Sequence, residues 1–276
     1  MYELDALGTR WLVEPLGGSV LSDELQQQLT DHIRRFEQTY TRFTDTSLLG
    51  RLNKDKSLAK PPQELQDMLV FARNLQQQTE GVFNISVGGE LVRRGYGRTK
   101  DYGVVSGTFW DVVNITEEHV TIPPGVTLDF GGFGKGWLID QLGELLRSSG
   151  VEQFIINGGG DILVWSDQPV ELALQHPYDP SKSVGSTRIT HGALAVSSSV
   201  KRSWHKDGQR QHHIIDPRTG APSESDVVTS YIRADSALVA DVCATILLIA
   251  PDLEPRLSEV YSLKAILLHK GQFVGV

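Results

Sequence analysis

The chain has almost no cysteine: Cys243 is the single thiol in 276 residues. One thiol excludes an intramolecular disulfide and any cysteine-cluster metal site. Its place in the apolar run VADVCATILLIA makes it a small buried hydrophobe. Long hydrophobic runs are missing as well. No stretch reaches the ~18 apolar residues of a membrane span, so no transmembrane segment is expected in this chain. The opening, MYELDALGTRWLVEP, has neither a basic n-region nor an apolar h-region. The expected location is therefore the cytoplasm, or an exported site for a chain whose signal has been cut away. Excess positive charge is absent too. A formal net charge of -8 argues against a nucleic-acid partner, which needs clustered Lys and Arg. Basic pairs such as Arg93 and Arg94 are local and read as solvated surface.

What remains is ordinary globular composition: 39% apolar and 22% charged residues over a length that supports one large domain or two small ones. The pattern is mixed. An opening strand is expected over 9–16, then an amphipathic helix from Ser22 or Asp23 with Leu25, Leu29, Ile33, Phe36 and Tyr40 on one face. Pro61 and Pro62 open a second helix, whose stripe Leu65, Met68, Leu69, Ala72 and Leu75 runs on until Gly81. Residues 82–130 read as loops and short strands. A helix carrying Leu138, Leu142, Leu145 and Leu146 ends at Gly150. Strands are expected at 153–157, 161–165, 169–174, 193–197, 211–215 and 227–233, then helices at 235–249 and 252–260 and strands at 264–268 and 272–276. The class is α+β, with mixed sheets, packed helices and an active cleft between two lobes of a single domain, 1–276.

Four motifs carry possible chemistry. In DFGGFGKGWLID (129–140) closely spaced glycines run straight into a helix, so backbone groups can approach a phosphate. A tight strand-to-helix turn explains the same residues, and the spacing is not that of a P-loop. INGGGDILVW is either a plain hairpin turn or a place where Asn157 and the glycine backbone meet a planar or phosphorylated ligand. HHIIDPRTGAP has strong turn chemistry in Asp216-Pro217 and Thr219-Gly220. Turn geometry leaves His213 unexplained; it is a satisfied structural residue or a group that titrates near neutral pH. In SALVADVCATILL, Asp241 and Thr245 stand four apart on one helix face. An Asp/Thr oxygen pair suits Mg²⁺ rather than Zn²⁺, and the alternative is an exposed or Arg-paired Asp.

In order and spacing these motifs resemble the ApbE family, the FAD:protein FMN transferases. The likeness runs over nearly the whole chain. LGTRW is similar to the family's MGT-type strand, RFTDTSLLGRLN to xDSELSRLN, and GVFNISVGGELVRRGYG to AFDxTVGPLVxLWGFG. DFGGFGKGWLID resembles DLGGIAKGYAVD, INGGGDI resembles VNAGGDI, and HIIDPRTGAP with ADVCAT resembles HIIDPRTGRP with ADALAT. The resemblance implies Mg²⁺-dependent transfer of the FMN half of FAD to a Thr or Ser hydroxyl of an acceptor flavoprotein, with release of AMP. Carried over by position, the metal ligands are the Gly132 carbonyl, Asp241 and Thr245. Flavin contacts are Leu7, Phe43, Val82, Phe83, Asn84, Asp129, Lys135, His213 and Ile215. A Thr hydroxyl needs a base, for which His213 is the first candidate and Asp216 the second.

Several positions depart from the family pattern. Leu7 stands for Met, Asn84 for Asp, Ser199 for Gly and Lys201 for Tyr; VGGELV has one residue more than VGPLV, and RRGYG lacks the tryptophan of LWGFG. These changes bear on adenine and target-protein contacts rather than on the metal ligands. Two alternatives stay open: an FAD pyrophosphatase giving FMN and AMP, and a non-catalytic FAD-binding protein.

Overall fold

The computed structural model describes residues 1–96, 113–200, 203–206 and 209–271. In chain order the elements are β1 (Tyr2–Ala6), β2 (Thr9–Pro15), α1 (Asp23–Tyr40), α2 (Leu48–Asp55), β3 (Ser57–Ala59), α3 (Gln63–Gln78) and α4 (Gly88–Arg93). There follow β4 (Asn114–Ile115), β5 (His119–Thr121), α5 (Gly134–Ser148), β6 (Phe154–Gly158), β7 (Ile162–Gln175), β8 (Ser183–Ser198), β9 (Ser203–Lys206) and β10 (Gln209–His212). The chain closes with β11 (Ile215–Asp216), β12 (Ala221–Pro222), β13 (Val227–Ala234), α6 (Ala237–Ile249), α7 (Glu254–Tyr261) and β14 (Lys264–His269). The class is α+β, as expected. The backbone divides into two compact units: residues 1–37, 131–201 and 225–276, and residues 38–130 and 202–224.

The first unit is built on a seven-stranded sheet in the order β1-β2-β6-β7-β8-β13-β14. Each neighbouring pair in it is antiparallel. Alternation along β2 buries Trp11 and Val13 fully and leaves Arg10 and Glu14 in solvent, the pattern of a strand with one covered face. Across the middle of the sheet α5 packs on β6 and β7, and α6 on β8 and β13. Helix α6 is apolar nearly all round, because it packs on the sheet with one side and on α5 with another. Its first turn is capped twice: Ser236 Oγ accepts the Val239 N–H at 3.1 Å, and Asp140 of α5 accepts the N–H groups of Ala237 and Leu238 at 2.8 and 2.9 Å. The two helices touch at Gly136, where any Cβ would run into the Ala237 carbonyl. On the opposite face the outer parts of β7 and β8 bury Leu172, Leu174 and Ile189 in one cluster with Val164, Leu194 and Tyr231.

The second unit holds α2, α3 and α4 with a three-stranded sheet, β3-β5-β4, and two ribbons, β9-β10 and β11-β12. The expected stripe on α3 is wholly buried. Asn53 of α2 clamps the backbone at Leu128 from both sides, donating from Nδ2 to its carbonyl at 2.9 Å and accepting its N–H at 2.7 Å.

The helices and most strands lie where the periodicity puts them, and the differences have local causes. The strands expected at 161–165 and 169–174 are one strand, β7, whose register shifts between Trp165 and Val170 around exposed Asp167, Gln168 and Pro169. The strand expected at 211–215 breaks into β10 and β11 with His213 between them. Among the elements not anticipated are β1, α2 and α4. In β1, Glu3 and Asp5 on the exposed face dilute the strand signal; α2 and α4 are eight and six residues long, too short to repeat an apolar stripe. The strand expected at 272–276 lies outside the described residues.

Candidate functional site

In the first unit a charge cluster gathers around Lys135, in the opening turn of α5. Its ammonium pairs with Asp161 and lies 3.7 Å from Asp241 Oδ2. Asp161 is 2% exposed at the end of the glycine turn, and its Oδ1 accepts the Val196 N–H at 3.3 Å. Asp241 is 4% exposed, and its Oδ2 accepts the Gly136 N–H at 3.0 Å. Burial pushes the Asp241 carboxyl above its ordinary range, against the pull of the Lys135 ammonium and the Gly136 N–H. One turn further along α6, half-buried Thr245 has its Oγ1 3.1 Å from Ser197 Oγ.

Two buried carboxylates share one ammonium here, so the cluster is short of one positive charge. Buried charge in deficit is costly, and oxygen donors on it suit a hard divalent cation. Among the described residues no three His, Cys, Asp or Glu side chains gather into a metal cage. A cation at Asp241 would complete its shell with hydroxyl and carbonyl oxygens and with water. Thr245 on the same helix, and half-buried Gly132 just ahead of α5, are groups of that kind, so the donor set fits Mg²⁺.

Leu7, also in the first unit, occupies the β1–β2 turn at φ +50°, its N–H held by Glu37 Oε1 at 2.7 Å. The INGGGD turn uses its own residues internally: Asn157 Oδ1 accepts the Gly160 N–H at 2.9 Å, and Gly159 and Gly160 take φ values of +75° and +104° that favour glycine. The hairpin reading thus accounts for Asn157, while Asp161, which the sequence reading passed over, is the side chain that enters the charge cluster. The available signal was an Asp placed directly after three glycines, at the mouth of a buried strand.

In the second unit Asp129 pairs with Arg42, whose side chain is 3% exposed. Arg42 also donates to the Tyr96 carbonyl at 3.2 Å, and its guanidinium lies 4.5 Å from the ring centre of Phe43 and 5.8 Å from that of Tyr96. Tyr96 stacks in turn on Trp204 at 5.4 Å and on His213 at 6.2 Å. The Asp129 N–H binds the Ile85 carbonyl at 2.7 Å, which joins the 82–84 segment to the same group. Val82 and Phe83 are buried, and their N–H groups bind the Thr79 carbonyl and Oγ1, each at 3.1 Å; half-buried Asn84 uses its Oδ1 to accept the Ser86 N–H at 2.9 Å. Exposed Phe43, by contrast, offers a ring face. Arg42, Tyr96 and Trp204 were not singled out by sequence reading, because nothing local marks an arginine and two aromatics as neighbours.

Asp216 is held differently from His213. Its carboxylate takes the Arg218 guanidinium at 3.0 and 2.8 Å and the Arg218 N–H at 2.9 Å, and its carbonyl closes the turn with the Gly220 N–H at 2.8 Å. Partial burial raises its pKa, but the Arg218 bonds outweigh that and leave it below the usual carboxylate range. A carboxylate so held is a weak base. Ile215 is buried in β11 opposite Pro222.

A model of the ApbE family matches residues 7–265. This chain belongs to the ApbE family. An FAD:protein FMN transferase of Salmonella typhimurium is 25% identical to it over 258 residues, covering 85% of this chain and 74% of the relative. One from Vibrio cholerae is 28% identical over 246 residues, covering 82% and 71%. Among solved structures, the ApbE protein of Thermotoga maritima superposes with a TM-score of 0.82 over 99% of this chain and 97% of its own, at 22% identity. The flavin transferase ApbE from Vibrio cholerae gives 0.80 over 98% and 93%, at 23% identity. These two likenesses establish the ApbE fold. No helix among the described residues is long and apolar enough to cross a membrane.

Proposed function

We propose that this chain is an Mg²⁺-dependent FAD:protein FMN transferase, which moves the FMN half of FAD onto a Thr or Ser hydroxyl of an acceptor flavoprotein. The observation that carries this reading is the charge-deficient cluster of Lys135, Asp161 and Asp241 in a chain matched to the ApbE family over 7–265. In the reaction the acceptor oxygen bonds to the FMN-side phosphorus, the bond from that phosphorus to the bridging oxygen breaks, and the bridging oxygen leaves on AMP. Because the second pKa of a phosphate monoester is near 6, AMP leaves without a general acid.

Mg²⁺, when bound, neutralises charge that builds on the pyrophosphate oxygens. Asp241, Thr245 and the Gly132 carbonyl hold it. Lys135 contributes a second positive charge to the phosphates. His213 removes the proton from the acceptor hydroxyl, a role that suits it better than Asp216, whose carboxylate is committed to Arg218. Phe43, Asn84, Asp129, Ile215, Leu7 and the backbone of Val82 and Phe83 bind the flavin nucleotide.

The test is incubation with FAD, Mg²⁺ and a flavoprotein subunit that carries a proven Ser/Thr acceptor. Covalent FMN on the subunit, seen by mass and in-gel fluorescence, together with equimolar AMP, is expected. FAD bound without covalent FMN on that acceptor sinks the reading. Free FMN and AMP in the absence of acceptor would mark a pyrophosphatase instead.

A further inference from the structure

Asp161 has no assigned task, yet it is the most buried carboxylate of the charge cluster and the direct partner of Lys135. It is well anchored: it follows a turn fixed by Asn157 and Gly160, and the Val196 N–H binds its other oxygen at 3.3 Å. The Lys135 ammonium therefore sits on Asp161 and stands 3.7 Å from Asp241 Oδ2, an ion-pair distance beyond hydrogen-bond length. A lysine is a point charge on a flexible stem and follows its strongest counter-charge. Without Asp161 the same ammonium has Asp241 as its nearest carboxylate.

We infer that Asp161 is a positioning residue that holds Lys135 away from Asp241 and so keeps the Asp241 carboxylate available to a divalent cation. The inference rests on the metal site proposed above. Its physical content is a competition: ammonium and Mg²⁺ both seek Asp241, and Asp161 draws the ammonium off. Outer-shell partners of metal ligands commonly contribute about 10–100-fold to metal affinity, and a loss of that size is expected for Asp161→Asn.

A double-mutant cycle tests it. Mg²⁺ is titrated by calorimetry into the wild-type protein, Asp161→Asn, Lys135→Met and the double variant, with and without FAD, and thermal midpoints are followed in parallel. The inference expects Asp161→Asn to weaken Mg²⁺ by about 10–100-fold when Lys135 is present and by less than about threefold in the Lys135→Met background, where no ammonium competes. Asp161→Glu, which keeps the counter-charge, recovers at least half of the lost affinity on a logarithmic scale.

An equal loss in both backgrounds would overturn the inference, since Asp161 would then act as a direct ligand or as scaffold. Unchanged Mg²⁺ affinity in Asp161→Asn would overturn it too. If Asp161→Asn fails to fold, Asp161→Glu and the comparison of Lys135→Met with wild type decide: Lys135→Met must bind Mg²⁺ at least as tightly as wild type, and weaker binding refutes the competition. A wild-type protein that takes up no Mg²⁺ with or without FAD removes the metal site itself, which is a different result from a cycle that closes additively.

Discussion

The charged groups around Lys135 and those around Arg42 are held in contrasting ways. Lys135, Asp161 and Asp241 project from α5, the head of β7 and α6, elements of 13 to 15 residues anchored in a seven-stranded sheet. Arg42, Phe43, Tyr96, Asp129 and His213 stand on turns and short connections. The first cluster is charge-deficient, whereas the second matches its carboxylate with a guanidinium and surrounds the pair with aromatic rings. Regular elements can hold unfavourable charge where a cation is to bind; irregular backbone is held together by the very groups that would meet a planar ligand.

Five substitutions, two of them followed over pH, sharpen this contrast. The largest effect is expected at His213→Ala. Loss of the proposed general base is expected to lower the rate of covalent FMN formation by about 10²–10⁴-fold while FAD still binds, measured by single-turnover flavinylation. Asp241→Asn comes next, with transfer slower by about 10²–10³-fold through loss of transition-state charge stabilisation. Its stability moves the other way. The folded-state pKa of Asp241 is raised, so the ionised carboxylate destabilises the metal-free protein as pH rises above the ordinary Asp value. Thermal midpoints of metal-free Asp241→Asn should exceed wild type at pH 7 and converge with it below about pH 4.

The arginine cluster should show no such trade. Arg42→Met removes the buried guanidinium from the half-buried Asp129 carboxylate, which costs about 3 kcal/mol, or a midpoint lower by roughly 5–10 °C, and FAD binding is expected to weaken with it. A gain in stability from Arg42→Met would break the comparison. Gly136→Ala drives a methyl into the Ala237 carbonyl and forces α5 from α6, a cost of about 1–3 kcal/mol read in denaturant midpoints. The smallest effect belongs to Arg218→Gln. The depressed pKa of Asp216 contributes stability that is present above the ordinary Asp value and lost as pH falls through the depressed one. Arg218→Gln should therefore melt slightly below wild type at pH 7, with the gap closing as pH drops below about 4.

Both clusters differ in how far the sequence reveals them. Asp241 and Thr245 are legible because helix geometry turns a spacing of four into a shared face. The α3 stripe and the Asp216–Gly220 turn are legible for the same kind of reason, a short-range rule acting on adjacent residues. Arg42 and Asp129 are 87 residues apart, and no periodicity links them. The stack of Trp204, Tyr96 and His213 likewise joins distant segments. Asp161 falls between these cases: the glycine turn before it was visible, but its burial against Lys135 follows only from the packing of α5 on the sheet.

The sequence by itself determined the α+β class, the main helices, the turn chemistry and the run of motifs that places the chain in the ApbE family. All of these depend on local rules or on the order of residues along the chain. Only the tertiary structure decided that Lys135 is shared between Asp161 and Asp241, that Asp216 is committed to Arg218, and that Arg42 holds Asp129. Charge pairing acts through a few ångströms of space, and which carboxylate a cation meets is settled when helices, strands and turns are brought against one another.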